Sequence, residues 1–227
     1  MTNKDLVVQA FTELMQQKNI AALDYYWGNP FIQHNPQFPD GTEVLKAGVK
    51  GSFKNPQLSY ELIRALSEDD LVALHGRFVG FWSQPMVAFD IFRVQDGKLV
   101  EHWDGVQADV TQTVNGHTML DGADRVKDRD KTQANKQLIQ GFANTILVEG
   151  RYDQLGQYFA SDNYIQHSPN LPNGVSGLGI ALQEMAQQGI TFIYQKVHRI
   201  NIGCEIRLKV LACYLNSMRF FADGTQS

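Results

Sequence analysis

The sequence FDIFRVQDGKLVEHWD, residues 89–104, predicts two antiparallel β-strands joined by a tight turn. Apolar and polar residues alternate on both sides of Asp96-Gly97, with the period of two that is expected of half-buried strands. Asp-Gly is a strong hairpin signal because both turn positions require a positive φ. This part of the chain is therefore predicted to form an antiparallel sheet.

Further strands and helices can be predicted outward from this hairpin. After Pro56 the period of two covers four segments, 58–66, 71–80, 86–94 and 98–107, with a second turn at 67–70. Before Pro56 the period is helical over 3–18, where Thr2 or Asn3 is the expected N-cap, and short helices are predicted at 21–27 and from Thr42 to about 53. Residues 31–34 form a short extended piece. Helices followed by an antiparallel meander indicate an α+β fold, in which a sheet that covers its own helices curves around a pocket.

The chain also carries an internal repeat. Residues 3–51 resemble residues 135–184, at an offset of 132 that becomes 133 after a one-residue gap near Gly28. The match is plainest where Ile32-Gln33-His34 aligns with Ile165-Gln166-His167. We therefore predict two copies of one module in tandem, 1–115 and 131–227, joined by a linker at 116–130.

Composition excludes several classes of protein. The 227 residues carry a net charge of −4, and the 20 Lys and Arg residues form no basic block, which argues against nucleic-acid binding. No apolar run reaches the roughly 18 residues of a membrane span, and the N-terminus has no signal-peptide core, so we expect a cytoplasmic protein that does not enter a membrane. The two cysteines, Cys204 and Cys213, are too few for a metal cluster or a disulfide framework.

Five ionisable side chains are candidates for acid–base chemistry in the predicted pocket: Asp104, Asp90, His102, His75 and His34. Alternation places His102 and Asp104 on one face of strand 98–107, and Leu99 on the opposite face with Glu101 and Trp103. An Asp that faces a His in an apolar cavity can serve as a general base, because burial raises the pKa of a carboxyl group. Candidate substrate-binding side chains are Trp103, Trp82, Phe89 and Arg77. No metal ligands are predicted.

Each candidate also has a purely structural explanation. Asp104 could instead form an ion pair on an edge strand, and Asp90 could neutralise the charge of Arg77 or Arg93. His102 and His75 could instead be histidines that line a core without a role in a reaction. Trp103, Trp82 and Phe89 could likewise be core residues that contact no ligand. His34 has a counterpart in His167, so a structural need of the repeated turn explains it equally well.

Three stretches of the chain now point to a family. Residues 31–41 (FIQHNPQFPDG), residues 89–104 and residues 115–122 (NGHTMLDG) resemble SnoaL-like proteins of the nuclear-transport-factor-2-like superfamily. The resemblance covers the first copy almost end to end, and residues 164–174 (YIQHSPNLPNG) carry the first stretch into the second copy. It implies a cone-shaped α+β barrel, with helices packed on a curved mixed sheet around one deep pocket.

The resemblance also implies a reaction. Similar proteins include polyketide cyclases that close a ring by aldol condensation without metal or cofactor, and a pocket Asp removes the proton beside a carbonyl. By position in the motif, Asp104 or Asp90 would be that base, with His102, His75 and His34 as partners and a small apolar carbonyl compound as the ligand. The superfamily also holds isomerases, dehydratases and binding modules. The alternative is therefore a non-catalytic module for ligand binding or dimerisation.

The second copy departs from the pattern after about Met185. Residues 190–200 still have the pattern of the first long strand, but 201–227 do not align with the first copy and offer no counterpart of Glu101-His102-Trp103-Asp104. We therefore predict a degenerate copy that pairs with the first within the chain, as family members pair in homodimers, or takes part in a homo-oligomer.

Overall fold

The computed structural model of this chain describes residues 1–122 and 129–192. These residues form two compact units, 1–109 and 110–192. The predicted tail at 201–227 lies outside the described residues, as does the strand predicted at 190–200 apart from its first three positions. No helix within the described ranges is long and apolar enough to cross a membrane.

The helices of the first unit match the predicted ones. They are α1 (Asn3–Phe11), which continues as a π-helical turn at Thr12–Gln16, α2 (Ala22–Tyr26) and α3 (Thr42–Ser52). Thr2 caps α1 in a capping box, in which its hydroxyl accepts from the Asp5 backbone N–H and the Asp5 carboxylate accepts from the Thr2 N–H, both at 3.1 Å. The expected cap of α3 at Thr42 is wrong. Gly41 is the cap, and its φ of 96° is a conformation that glycine adopts without strain.

Five strands form the predicted curved sheet. In chain order they are β1 (Trp27–Gln33), β2 (Ser59–Glu68), β3 (Leu71–Val79), β4 (Met86–Gln95) and β5 (Lys98–Ala108). Their spatial order is β1-β5-β4-β3-β2, with β1 parallel to β5 and every other pair antiparallel. Asp96 and Gly97 both have positive φ, as the tight turn between β4 and β5 requires. The predicted α+β class is confirmed.

The helices pack on the inner face of this sheet. One stripe of α1 and its π-helical turn is buried, from Leu6 to Met15, as the helical spacing predicts. Phe11 lies at the centre, with ring centroids 4.9 Å from Tyr60 and 5.6 Å from Phe92. Burial of one such large apolar side chain contributes about 1.5–3 kcal/mol, so this stripe holds the helices on the sheet.

A β-bulge changes the expected faces of β5. Val94 pairs with Leu99 and Arg93 pairs with Glu101, so Val100 is the extra residue on this strand. Leu99 therefore shares the inner face with His102 and is fully buried in the core beside Phe92. The expectation that Leu99 faces away from His102 is wrong, because strict alternation does not survive an inserted residue.

The second unit contains helices of the same kind. They are α4 (Thr132–Phe142), which continues as a π-helical turn at Ala143–Val148, a 3₁₀ segment at Tyr152–Tyr158, and α5 (Val175–Gln187). Its small core includes Phe142, Ile146, Leu155 and Leu182. Residues 110–122 belong to this unit, in which the Asn115 amide donates to the carbonyls of Ser168 and Leu171.

Equivalent turns in the two units support the predicted repeat. The Gln33 N–H donates to Asp40 Oδ1 at 2.7 Å, and the Gln166 N–H donates to Asn173 Oδ1 at 2.9 Å. The glycine that follows each acceptor has a positive φ, 96° at Gly41 and 92° at Gly174, and caps the next helix. These pairs share the offset of 133 found in the sequence. The duplication and its boundaries at 115 and 131 stay predictions.

Candidate active site

A cavity in the first unit lies between the helices and the inner face of the sheet. The cavity and its open mouth together have a volume of about 600 Å³. Most of its wall is apolar, with eight aromatic side chains: Phe11, Trp27, Phe31, Phe38, Phe78, Phe81, Trp82 and Phe92. The predicted ligand-binding residue Trp82 is among them. A flat or compact apolar molecule fits such a wall best.

Four polar side chains line the same cavity: Gln33, Asp90, His102 and Asp104. Asp90 of β4 and Asp104 of β5 are cross-strand partners, so both project from the same face of the sheet. His102 precedes Asp104 by two residues, and its Nε2 lies 3.2 Å from Asp90 Oδ1. The side chains of His102 and Asp90 are only 10% and 7% exposed. The structure thus brings together three of the five predicted acid–base residues.

Two amide side chains from the turn after β1 hold this group in place. Gln33 Oε1 lies 2.9 Å from His102 Nδ1, and the Asn35 amide donates to Asp104 Oδ2 at 2.6 Å. The turn reaches these residues because β1 runs parallel to β5, with Gln33 paired to His102. Both contacts join residues 69 positions apart in the sequence.

Burial controls the ionisation of Asp104. Loss of hydration raises the pKa of its carboxyl group, and the charge of Asp90 raises it further, while His102 and the Asn35 amide act in the opposite direction without cancelling the rise. Asp90 Oδ2 is buried and has no hydrogen-bond partner among the residues that the structure describes. Burial and the charge of Asp90 also raise the pKa of the Tyr60 hydroxyl on β2 well above its usual value.

His75 does not reach the cavity, so the expectation that it converges with the others is wrong. It pairs with Phe89 across β3 and β4, one position out of phase with Asp90, and therefore lies on the outer face of the sheet. Its ring stacks on Phe89 with centroids 4.0 Å apart, and its Nδ1 lies 2.7 Å from Arg64 Nη1. Phe89 lies on the same outer face as its cross-strand partner His75. Phe89 is therefore not part of the ligand-binding wall.

His34 and Trp103 likewise lie outside the cavity, although both were expected in it. Their rings stack with centroids 4.6 Å apart, and His34 Nε2 lies 2.8 Å from Glu101 Oε1. The side chain of His34 is 41% exposed. Trp103 alternates with His102 and Asp104 along β5, so its ring projects from the opposite face.

The arginines make ion pairs and do not contact Asp90. Arg77 Nε donates to Asp109 Oδ2 at 2.6 Å, and Arg93 Nε donates to Glu101 Oε2 at 2.6 Å. Arg77 is therefore not part of the ligand-binding wall, and the alternative in which Asp90 neutralises one of these arginines is wrong.

Sequence reasoning missed Gln33 and Asn35 as site residues. Both lie in residues 31–41, but neither is ionisable and the turn has no periodicity that assigns a face. A usable signal was the recurrence of Gln33 as Gln166. In the second unit Gln166 Oε1 accepts from the backbone N–H groups of His167 and Ser168, so this glutamine organises the same turn.

Asp90, His102 and Asp104 are also the group, among the described residues, whose ligand atoms lie close enough to hold a metal ion, all within 4.8 Å. A metal ion bound by this pair would displace the contact between His102 Nε2 and Asp90 Oδ1. A metal site and a proton-transfer site are therefore mutually exclusive uses of this pair.

Comparison with known proteins finds a family match within the first unit. The family model of the SnoaL-like domain matches residues 8–102. No curated protein matches the chain.

Solved structures similar to this chain include three bacterial proteins. TsrD from Streptomyces laurentii is 19% identical, with 46% of this chain and 88% of that chain covered and a TM-score of 0.41. A putative polyketide cyclase from Acidithiobacillus ferrooxidans is 14% identical, with coverage of 46% and 87% and a TM-score of 0.40. A SnoaL-like protein of unknown function from Burkholderia thailandensis is 18% identical, with coverage of 48% and 99% and a TM-score of 0.41.

Proposed function

We propose that the cavity of the first unit, in which residues 8–102 match the SnoaL-like domain, catalyses acid–base chemistry on a small apolar carbonyl compound, of the aldol-condensation, cyclisation or isomerisation type. The observation that carries this proposal is the placement of Asp104. Its carboxyl group lies among the few polar side chains of an otherwise apolar cavity, beside the Asp90–His102 pair. A base whose pKa is raised by burial is better matched to proton removal near neutral pH.

The proposed step transfers one proton. The Asp104 carboxylate takes a proton from the carbon next to the carbonyl group, and the electron pair of that C–H bond forms the enolate. The Asp90–His102 pair faces the same space, and the hydrogen that the two side chains share can turn from this contact to the developing oxyanion as a hydrogen-bond donor. In a condensation the enolate carbon then attacks a second carbonyl carbon, and Asp104 returns its proton to the new alkoxide. In an isomerisation the proton returns to a different carbon.

Hydrogen exchange in heavy water tests this step without knowledge of the natural substrate. With 2-tetralone as the probe, the protein should accelerate loss of the hydrogens next to the carbonyl group, followed by NMR. Asp104→Asn should reduce the accelerated rate by roughly 10²–10⁴-fold, the usual contribution of a positioned base. Asp96→Asn is the matched control, because Asp96 lies in the exposed turn between β4 and β5 and should keep the full rate. A rate that neither Asp90→Asn nor Asp104→Asn reduces would contradict the proposal.

A ligand-binding module is the second candidate, and the aromatic wall is the observation that favours it. Trp27 and Trp82 line the cavity, so binding of 2-tetralone should change their fluorescence. Saturable binding with no acceleration of exchange would support the binding module. Acceleration that depends on Asp104 would support the enzyme.

A further inference from the structure

The turn at 33–37 presents two amide side chains to the ionisable group, and neighbouring backbone N–H groups fix the orientation of both amides. Gln33 Oε1 accepts from the Asn35 N–H at 3.0 Å, so this atom must be the oxygen. Asn35 Oδ1 accepts from the Gln37 N–H at 2.8 Å, which leaves Asn35 Nδ2 to face Asp104. The turn itself is held by the bonds from Gln33 N–H to Asp40 and from His34 N–H to the His102 carbonyl.

The orientation of Gln33 determines where His102 carries its hydrogen. Gln33 Oε1 can only accept, so the 2.9 Å contact requires a hydrogen on His102 Nδ1. In a neutral imidazole the other nitrogen, Nε2, then carries a lone pair. That lone pair points to Asp90 Oδ1, 3.2 Å away.

A second hydrogen must therefore lie between His102 and Asp90. A carboxylate that faced a lone pair at this distance would be repelled, and both side chains are nearly fully buried. The hydrogen is held either by a neutral Asp90 carboxyl group or by a His102 imidazolium beside the Asp90 carboxylate. In both cases the pair has no net charge and holds one mobile proton.

Asn35 has the opposite effect on Asp104. Its amide donates to Asp104 Oδ2 at 2.6 Å, and a donor stabilises the charged form of a carboxyl group. Of the two cross-strand aspartates, the turn thus favours the ionised form of Asp104, and the shared proton stays on the pair that contains Asp90.

We propose that Gln33 and Asn35 are positioning residues that assign the protons of the cavity, so that Asp104 is the base and the Asp90–His102 pair holds the shared hydrogen that can be donated to an oxyanion. The part that concerns turnover rests on the proposed function. The proton assignment does not, because it follows from hydrogen bonds of the protein alone.

Among the described residues, the ionisable groups near His102 are two aspartates and, beyond Asp90, one tyrosine. Asp90 of β4 and Asp104 of its own strand face it, and Tyr60 of β2 faces Asp90. The cavity walls from α1, its π-helical turn and α3 are apolar at Phe11, Leu14 and Val49. Nitrogen-15 NMR of the histidine rings therefore tests the assignment directly. The spectra are recorded with EDTA present, and His102 is identified by the signal that is lost in His102→Gln.

We expect wild-type His102 to keep its hydrogen on Nδ1 across neutral pH. Gln33→Leu removes the acceptor and should let the hydrogen shift to Nε2, whereas Gln33→Glu keeps an acceptor and should restore the hydrogen on Nδ1. Gln166→Leu is the matched control in the second unit and should leave the His102 signals unchanged. A neutral wild-type His102 with its hydrogen on Nε2, or a Gln33→Leu variant with the wild-type tautomer, would overturn the assignment.

Exchange of 2-tetralone hydrogens separates this inference from the proposed function. Gln33→Leu should slow the accelerated exchange by roughly 10–100-fold through misplacement of the donor, and Gln33→Glu should recover part of the rate with a shifted pH profile. The expected His102 tautomer without any exchange would contradict the proposed function alone. Exchange that depends on Asp104, with the opposite tautomer, would contradict the proton assignment alone.

Discussion

Asp90 and Asp104 lie directly opposite each other on β4 and β5, and both side chains project into the same apolar cavity. Two carboxyl groups in such a place disfavour each other's ionisation. The neighbours of the two groups differ, because His102 contacts Asp90 whereas the Asn35 amide contacts Asp104. Two aspartates that occupy equivalent positions on neighbouring strands therefore have different hydrogen-bond partners and different chemistry.

The first prediction concerns the titration of Asp104. Burial raises the pKa of this carboxyl group, so it should titrate above the ordinary value of 3.8. A carbon-13-observed pH titration measures this directly, with Asp104→Asn to assign the signal. Activity should be lost as the pH falls through the same value, since the base is then protonated. Titration of Asp104 at or below 3.8 would contradict the role of burial.

The second prediction concerns stability. Because the folded-state pKa of Asp104 is raised, its stabilising contribution is present below the unfolded-state value near 3.8 and is lost as the pH rises through the folded-state pKa. Asp104→Asn removes this loss and retains an acceptor for Asn35. The variant should be more stable than wild type at pH 7, because its side chain cannot ionise in the buried cavity.

Urea unfolding at several pH values measures this difference. The gain should shrink as the pH approaches 4, where the wild-type carboxyl group is also protonated. Asp96→Asn, in the exposed turn, should show no comparable gain. A less stable Asp104→Asn at pH 7 would mean that ionised Asp104 contributes to the stability of the fold.

The third prediction separates two histidines. His34 lies outside the cavity on Trp103, whereas His102 lies within it. His34→Ala should leave the exchange rate of 2-tetralone within about twofold and cost up to about 1 kcal/mol of stability, the usual range for a half-exposed ion pair. His102→Gln should lower the rate by roughly 10²-fold or more, since it removes a member of the hydrogen-bonded group. Equal losses in both variants would place His34 in the reaction after all.

The fourth prediction concerns the packing beneath the cavity. A Cβ atom added at Gly76 of β3 would overlap the phenol ring and hydroxyl of Tyr60, whereas one added at Gly51 of α3 meets nothing within 4 Å. Gly76→Ala should therefore destabilise the first unit by about 1–3 kcal/mol. Gly51→Ala should be neutral or stabilise it by up to about 1 kcal/mol, because alanine favours helix. Thermal unfolding of both variants checks the contrast, and similar losses would contradict it.

Much of the fold could be predicted because its signals are local. The strands from residue 58 onward appear at nearly their predicted bounds, since alternation and the Asp96-Gly97 turn depend only on neighbouring residues. The first helix follows in the same way from its apolar spacing and from Thr2. His102 and Asp104 could be placed on one face because they alternate along one strand, whereas the cross-strand pairing that joins Asp90 to them comes from the structure.

Other parts of the site depend on contacts that no local pattern encodes. His75 is as polar and as centrally placed in its strand as Asp90, but the cross-strand register puts it one step out of phase and on the outer face. Leu99 changes face because of a bulge at Val100, and the sequence alone does not show which residue of a strand is the inserted one.

The sequence by itself determined the strands, the helices, the hairpin and the alternating residues that could share a face, since each depends on interactions between near neighbours in the chain. Only the tertiary structure decided which of these faces encloses the cavity. The parallel pairing of β1 with β5 brings Gln33 and Asn35 to His102 and Asp104 across 69 residues of sequence. That pairing is stabilised by closure of the whole sheet over the helices, so the proton-holding group exists only once the fold is complete.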